Sequence, residues 1–252
     1  MYKVFTYSFN NPKYLEYQSR CLKKFSLEPF EFYCIDNSVD PYIRRRLNKV
    51  CADNGIRHEI NKKPDHSLPG TSHYSALQWS YNEFMQNNTG LSLILDHDMF
   101  PVKPFSVSSE LNGAQIAGIR QEREHVIYLH PSVIILDMDK LPNKHTINFN
   151  GQLVDGVAVD IGGQLGAYFR DNPNVKVNYM NAHKVDKSSD IIPEDLKINY
   201  RCDPNATDLH PFEIAEEKFL HTMLGSNWCY IDKQKFEARN SLIYSILERY
   251  LS

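Results

Sequence analysis

The chain has 252 residues, 42% of them hydrophobic and 12% aromatic, with a formal net charge of −3. That length and apolar content suit one large α/β domain or two small ones, and they exclude a disordered tail. The slightly acidic balance argues against a general nucleic-acid binder, which needs a basic face.

No stretch approaches the roughly 20 apolar residues that a membrane-spanning helix needs. The first twelve residues carry one lysine and no apolar run of signal-peptide length, so we predict a cytoplasmic protein without a transmembrane segment. The cysteines are odd in number and form no Cys-x-x-Cys pair, which predicts buried free thiols and no zinc site. They are Cys21, Cys34, Cys51, Cys202 and Cys229.

The first part of the chain alternates strands with helices. Apolar runs predict strands at 2–7, 30–35 and 56–60. Apolar periodicity predicts one helix from about Pro12 and a second that ends at Gly55. This alternation is typical of a parallel, Rossmann-like sheet.

The rest of the chain continues the pattern less regularly. Ser72 is predicted to cap a helix, and the charged stretch 120–125 is predicted to be a surface loop. A glycine-rich segment, 151–163, precedes a short helix, and the aperiodic segment 183–211 is predicted to cross one face and carry the acceptor site. An amphipathic helix ends the chain. The remaining predicted strands are 91–95, 115–119, 133–136, 175–180, 219–220 and 228–231.

The strand at 91–95 leads into a pair of acids. Residues i and i+2 of an extended chain point the same way, so Asp96 and Asp98 are predicted to converge on one hard cation while His97 points elsewhere. Pro101 is expected to stop the strand. Acids at the carboxyl edge of a buried strand lie where an open α/β sheet places a ligand, which suggests a divalent metal carrying a phosphorylated substrate. The alternative is that the acids only cap a turn or a helix.

Several short segments, taken in order, resemble the nucleotide-binding half of the GT-A glycosyltransferases, and of family 2 most closely. They are the first strand, 36–38 (DNS), 70–77 (GTSHYSAL) and 93–98 (LILDHD). The later segment 219–228 (FLHTMLGSNW) resembles the late motif of other GT-A enzymes, in which a histidine completes the metal site.

The resemblance covers about residues 1–140 and 219–228, and it implies a single GT-A domain over 1–252. Such a domain is Rossmann-like, with a mixed, mostly parallel sheet flanked by helices. By the same likeness, 1–105 would be the nucleotide-binding half and 106–252 the acceptor-binding half.

The implied activity is metal-dependent transfer of a sugar from a nucleotide-diphosphate sugar to a hydroxyl acceptor such as a glycan. The departing diphosphate gains negative charge, which a bound cation neutralises. Mn²⁺ or Mg²⁺ suits oxygen ligands, and a histidine ligand would favour Mn²⁺. The expected ligands are Asp96, Asp98 and His221, although a histidine between Leu220 and Met223 could also be an ordinary core residue.

Other residues are expected to hold the nucleotide sugar. Tyr7 would pack on the base, and Asp36 would accept hydrogen bonds from base or ribose unless it caps the second helix. Ser72 and His73 open a helix whose free amides suit a diphosphate, although His73 could be an ordinary surface residue of that first turn. Asp96 would coordinate the ion or hold the ribose and the metal waters. Gly162 and Gly163 would let a substrate approach the backbone.

An inverting transfer needs a general base, for which we expect Asp160 and, as second choice, Asp155. Asp160 could instead cap the helix that follows it. A retaining enzyme would need no such base.

Two other functions remain open. The run 133–139 (VIILDMD) is similar to the nucleophile motif of haloacid-dehalogenase phosphotransferases, with Asp137 and Asp139 as its acids. That motif continues with a small residue and threonine, whereas Lys140 follows here, so a surface turn explains these acids better. The chain could also be an inactive protein that binds nucleotide sugars or carbohydrates.

Overall fold

The computed structural model describes residues 1–65, 71–151, 153–186, 188–199, 212–222 and 233–252. The strands are β1 (Tyr2–Ser8), β2 (Phe30–Asp36), β3 (Arg57–Ile60), β4 (Leu91–Leu95), β5 (Met99–Pro101), β6 (Ile116–Arg123), β7 (Val126–Asp137), β8 (Leu153–Val154), β9 (Val157–Ala158), β10 (Val177–Met180), β11 (Ala182–Lys184), β12 (Phe212–Ala215) and β13 (Phe219–Thr222).

The helices are α1 (Pro12–Phe25), α2 (Pro41–Asn54), α3 (Thr71–Ser80), α4 (Val107–Glu110), α5 (Leu165–Asp171) and α6 (Lys233–Leu251). A π-helical turn, Tyr81–Met85, extends α3, and short 3-10 turns occur at Lys144–Thr146 and Glu194–Asn199. None of the described helices has the length and apolar character needed to cross a membrane.

A seven-stranded sheet in the order β10-β6-β7-β4-β1-β2-β3 forms the centre of the fold. Strands β4, β1, β2 and β3 run parallel to one another, and β10 is parallel to β6. Only β7 breaks the pattern, because it pairs antiparallel with both β4 and β6. The predicted fold class, a mixed and mostly parallel sheet flanked by helices, is therefore confirmed.

Both faces of the central sheet are buried. Successive residues of β4 enter opposite cores: Leu93 and Leu95 pack in one apolar cluster, and Ile94 packs in the other. The first cluster includes residues of α1, α2 and α6, and the second includes residues of α3 and α5. This two-sided burial explains why the strand reads as a continuous apolar run without polar alternation.

Local signals start and end the first two helices. The Asn11 side chain accepts a hydrogen bond from the Tyr14 amide ahead of α1, and the Asp40 side chain accepts one from the Tyr42 amide ahead of α2. Gly55 ends α2 in the left-handed conformation, with φ of 71°, as predicted. Because Asp40 is the cap, the alternative that Asp36 caps the second helix is wrong.

A second sheet, β11-β12-β13-β5, lies beside the central one and was not predicted. Pro101 was expected to stop the strand at 91–95, but that strand already ends at Leu95, and Pro101 is the last residue of a separate strand, β5. Proline is tolerated there because β5 is an edge strand of this sheet. The predicted excursion at 183–211 is partly regular, since it contains most of β11 and the turn Glu194–Asn199, and residues 200–211 lie outside the described residues.

Two other predictions of local structure were wrong. The charged stretch 120–125 is not a loop, because β6 runs to Arg123 and turns at Glu124 into β7. The charged side chains of this part of β6 are exposed, which hides the strand from a hydrophobic pattern. Ser72 is not a cap either, because α3 already begins at Thr71.

Cys21, Cys34 and Cys51 are buried free thiols, as predicted. Cys202 and Cys229 lie outside the described residues, as does the predicted strand at 228–231.

Candidate functional site

The chain turns immediately after β4, and this turn gathers three possible metal ligands. The Met99 amide donates to the Asp96 carbonyl over 3.0 Å, which closes the turn. Asp96, His97 and Asp98 each offer a ligand atom, and these atoms lie within 4.8 Å of one another. The two acids therefore lie close together, in a turn and not in the extended chain that was predicted. His97 lies near them, contrary to the expectation that it points elsewhere, but its Nδ1 accepts a hydrogen bond from the Phe9 amide over 3.0 Å.

Asp98 is buried, and its Oδ1 has no hydrogen-bond partner among the described residues. Nε2 of His221 lies 3.4 Å from that oxygen, an ion-pair contact without hydrogen-bond geometry. Burial favours the neutral acid, but the charge of His221 outweighs it, so the pKa of Asp98 is lowered and the group stays a carboxylate. A buried carboxylate oxygen with an unused acceptor position is what a cation site requires.

His221 reaches Asp98 through the second sheet. In β13 it lies opposite Met99 of β5, and the Thr222 amide donates to the Asp98 carbonyl over 2.9 Å. Burial alone would lower the pKa of His221, but the carboxylates of Asp98 and Glu213 raise it. His221 is therefore buried, as expected for an ordinary core histidine. It also lies beside Asp98, as expected for a metal ligand. Residues 223–228 of its motif lie outside the described residues.

A cavity of about 810 Å³ opens next to the turn. Its polar lining includes His73 from the start of α3, Asp96 after β4, His130 from β7 and Asp160 after β9. An apolar wall, to which Leu153 and Val159 contribute, completes it. The cavity therefore brings together three residues that the sequence singled out separately, and it is large enough for a small-molecule ligand.

His73 and Tyr7 pack against each other, with ring centroids 5.6 Å apart. Nδ1 of His73 lies 3.7 Å from Oδ2 of Asp96, and its buried Nε2 has no hydrogen-bond partner among the described residues. The hydroxyl of Tyr7 is hydrogen-bonded to Oγ of Ser80 over 3.1 Å, and burial raises its pKa. His73 lines the cavity, whereas Tyr7 is not among the lining residues.

His130 was not predicted as a site residue. It is half-buried on the cavity wall, and burial lowers its pKa to about 4, so its ring is neutral. Its Nδ1 accepts from the Ser132 amide over 3.3 Å, which places the proton on Nε2. Its ring centroid lies 5.9 Å from that of His221. The only signal in the sequence is a histidine followed by proline inside an apolar strand.

Asp36 ends β2 at the same edge of the sheet as Asp96, as predicted, but its carboxylate is occupied by its own chain. Oδ1 accepts from the Ser38 amide over 2.8 Å, and Oδ2 lies 3.0 Å from Nε2 of His58. Next to it, Nδ2 of Asn37 donates to the Ser72 carbonyl over 2.7 Å. That bond ties the end of β2 to the start of α3.

Gly162 and Gly163 pack against the chain itself. A Cβ on Gly162 would lie 2.4 Å from the Leu129 carbonyl oxygen, and one on Gly163 would lie 2.2 Å from Cγ2 of Val159. Internal packing therefore accounts for both glycines without a substrate.

The two candidate bases are both paired with arginine. Oδ2 of Asp160 lies 2.9 Å from Nη2 of Arg123, and Oδ2 of Asp155 lies 2.5 Å from Nη1 of Arg170. Asp160 lines the cavity, whereas Asp155 lies in the β8–β9 turn and is not among the lining residues. The Asp160 side chain does not cap the following helix, because only its carbonyl accepts from Gly163.

Asp137 and Asp139 lie at the other edge of the sheet, because Asp137 pairs with Leu91 at the start of β4. Oδ1 of Asp137 accepts from the amides of Asp139 and Lys140, and Oδ2 pairs with Nζ of Lys140 at 2.7 Å. These bonds form the surface turn that the sequence favoured, and they leave no arrangement suited to a phosphorylated nucleophile.

Neither a protein-family model nor a curated protein sequence matches the chain. The solved galactosyltransferase LgtC, in complex with donor and acceptor sugar analogues, is similar at 13% identity over 96% of each chain, with a TM-score of 0.44. An active-site mutant of LgtC is similar at 12% identity over 83% of this chain and 81% of that one, with a TM-score of 0.43. The glycosyltransferase GlyE of Streptococcus pneumoniae is similar at 12% identity over 56% of this chain and 35% of that one, with a TM-score of 0.33. Likeness at these values assigns neither a family nor an activity to the chain.

Proposed function

We propose that this protein is a metal-dependent glycosyltransferase that moves a sugar from a nucleotide-diphosphate sugar to a hydroxyl acceptor such as a glycan. One observation supports this most strongly: the buried Asp98 carboxylate, whose Oδ1 accepts no hydrogen bond from the described residues, lies 3.4 Å from His221 and next to Asp96 at the carboxyl edge of the sheet. That edge is where open α/β sheets bind their ligands.

Asp98, Asp96 and His221 are the proposed ligands of a divalent ion. Two carboxylates and an imidazole suit Mn²⁺, and the carboxylates also suit Mg²⁺. The fit rests on the open acceptor position of Asp98 and on the nitrogen of His221 at 3.4 Å from it. A bound ion would neutralise the charge that develops on a departing diphosphate.

The nucleotide sugar is proposed to occupy the cavity. His73, whose Nε2 is buried without a partner, and Asp96 lie on its wall. The free amides at the start of α3, where Ser72 lies, would contribute to an anion site for the diphosphate. Tyr7 packs on His73 and Gly163 packs on Val159, so both support the cavity wall. Asp36 and Gly162 complete the proposed nucleotide-sugar set. The donor-side half would be 1–105 and the acceptor-side half 106–252.

A thermal-shift screen of nucleotide sugars with and without Mn²⁺ tests this function. At a free concentration of 100 times its dissociation constant, a ligand that binds only the folded state stabilises it by about 2.7 kcal/mol. We expect a uridine or guanosine diphosphate sugar to stabilise the protein only when Mn²⁺ is present. If no nucleotide sugar produces a metal-dependent shift, the proposal is wrong.

Asp160 is the proposed general base, with Asp155 as second choice. Asp160 lies on the cavity wall with 59% of its side chain exposed, and its pairing with Arg123 is close to solvent and therefore weak. Asp160 can leave Arg123 and accept the proton of an acceptor hydroxyl in the cavity. Asp155 lies in the β8–β9 turn outside the cavity lining, so it would first have to move.

Replacing Asp160 with asparagine is expected to lower kcat by about 10² to 10⁴, the usual contribution of a positioned base. Mn²⁺ binding should not change, and Asp155→Asn, which also removes an arginine-paired carboxylate, should stay near wild type. The measurement is the initial rate of metal-dependent donor hydrolysis. An inactive binding protein would show no turnover to lose, and Asp160→Asn would leave its ligand binding intact.

A further inference from the structure

Glu213 lies directly opposite His221 in the antiparallel pair β12–β13. Opposite residues of such a pair project from the same face of the sheet and contact each other. The pairing therefore brings the two side chains together in the second sheet, next to β5 and the turn that carries Asp98.

The imidazole of His221 contacts a carboxylate through each ring nitrogen. Nδ1 lies 3.2 Å from Oε1 of Glu213, and Nε2 lies 3.4 Å from Oδ1 of Asp98. All three side chains are largely removed from solvent, with 19%, 9% and 5% of Glu213, His221 and Asp98 exposed. A carboxylate acceptor at Nδ1 keeps a proton on that nitrogen, which leaves Nε2, whose proton a metal ion would displace, as the nitrogen directed at Asp98.

We propose that Glu213 is a positioning residue, which fixes the ring of His221 so that Nε2 faces the ion site beside Asp98. The proposal rests on the metal site of the proposed function. Histidines that bind metal ions commonly donate their other ring N–H to a carboxylate, which fixes both the proton and the ring orientation. Among the described residues, Glu213 is the carboxylate that contacts Nδ1 of His221.

A second carboxylate–histidine pair, between Glu217 of the β12–β13 turn and His183 of β11, provides a matched control. Oε1 of Glu217 lies 3.2 Å from Nε2 of His183, the same separation as in the Glu213 pair. Both side chains of this control pair are more than half exposed, and neither lines the cavity. Glu217→Gln therefore removes an equivalent charge without affecting the orientation of His221.

The test is isothermal titration calorimetry with Mn²⁺. It compares the wild type with three variants, Glu213→Gln, Glu217→Gln and Asp98→Asn. We expect Glu213→Gln to weaken Mn²⁺ binding by about 10- to 100-fold, as is typical when such an outer carboxylate is removed. Glu217→Gln should bind as the wild type does, and Asp98→Asn should show no measurable binding. Wild-type affinity in Glu213→Gln, with binding lost in Asp98→Asn, would overturn the role of Glu213 and leave the metal site intact.

If Asp98→Asn binds Mn²⁺ normally, the metal site itself is wrong, so the two failures can be told apart. A measurement on the unmodified protein avoids any folding defect of the variants. In ¹⁵N NMR spectra of the histidine rings, Mg²⁺ should shift the Nε2 resonance of His221 and leave Nδ1 protonated. A metal-induced loss of the Nδ1 proton would contradict the proposed orientation.

Discussion

Replacing Asp98 with asparagine is expected to abolish Mn²⁺ binding and to lower metal-dependent donor hydrolysis by on the order of 10³-fold. A bound ion contributes several kcal/mol of charge stabilisation in the transition state, and about 1.4 kcal/mol corresponds to tenfold in rate. Asparagine has nearly the same shape as aspartate, so the turn after β4 should keep its form. Far-UV circular dichroism of the variant should match that of the wild type.

Asp137→Asn is the matched control for that prediction. It also replaces a buried carboxylate that follows an apolar strand, but it does so at the opposite edge of the sheet. We expect it to retain wild-type hydrolysis, although the turn that it forms with Lys140 would be weakened. A phosphotransferase that used Asp137 would give the reverse result, with activity lost in Asp137→Asn and kept in Asp98→Asn.

Replacing Gly162 with alanine is expected to destabilise the fold much more than the same change at Gly156. Both glycines have positive φ, 87° and 84°, so alanine costs about 1–2 kcal/mol at either position. At Gly156 the added Cβ meets nothing within 4 Å. At Gly162 it would lie 2.4 Å from the carbonyl oxygen of Leu129, a residue of β7 that pairs with β6 and cannot move freely.

We therefore expect Gly162→Ala to lower the free energy of unfolding by more than about 4 kcal/mol, a loss that only severe backbone or packing defects cause. Gly156→Ala should stay within about 2 kcal/mol of the wild type. Urea denaturation measures both. Equal losses for the two variants would mean that the contact with Leu129 does not constrain the loop beside the cavity.

The sequence predicted the features that depend on local chemistry. The apolar run of β4, the proline at the start of α1 and the left-handed glycine after α2 each identify an element through neighbouring residues. The placement of Asp96 and Asp98 at the carboxyl edge of the sheet follows from the same reasoning, because that edge is defined by the end of one strand. Mostly parallel pairing also follows, because strands separated by helices pair in that way.

The second sheet could not be predicted, because its strands are short and two of its three pairings, β11–β12 and β13–β5, are long-range. The third pairing, β12–β13, is a local hairpin, but it turns at Glu216 and Glu217, which are not typical turn residues. The β12–β13 pair places Glu213 beside His221, and no spacing in the sequence indicates that contact. His130 enters the cavity from the antiparallel strand β7, whose direction the strand–helix alternation does not reveal. The closeness of His97 to the two acids was mispredicted because the chain turns after Leu95 and does not continue as an extended strand.

The most direct test of the proposed metal site is the position of the ion. In a crystal grown or soaked with Mn²⁺ and a nucleotide sugar, anomalous scattering at the manganese edge should give a peak within about 2–2.5 Å of a carboxylate oxygen of Asp98 and of Nε2 of His221. The donor's phosphates should lie on the other side of that peak. A peak elsewhere, with the side chains of Asp96 and Asp98 free of the ion, would contradict the proposed function.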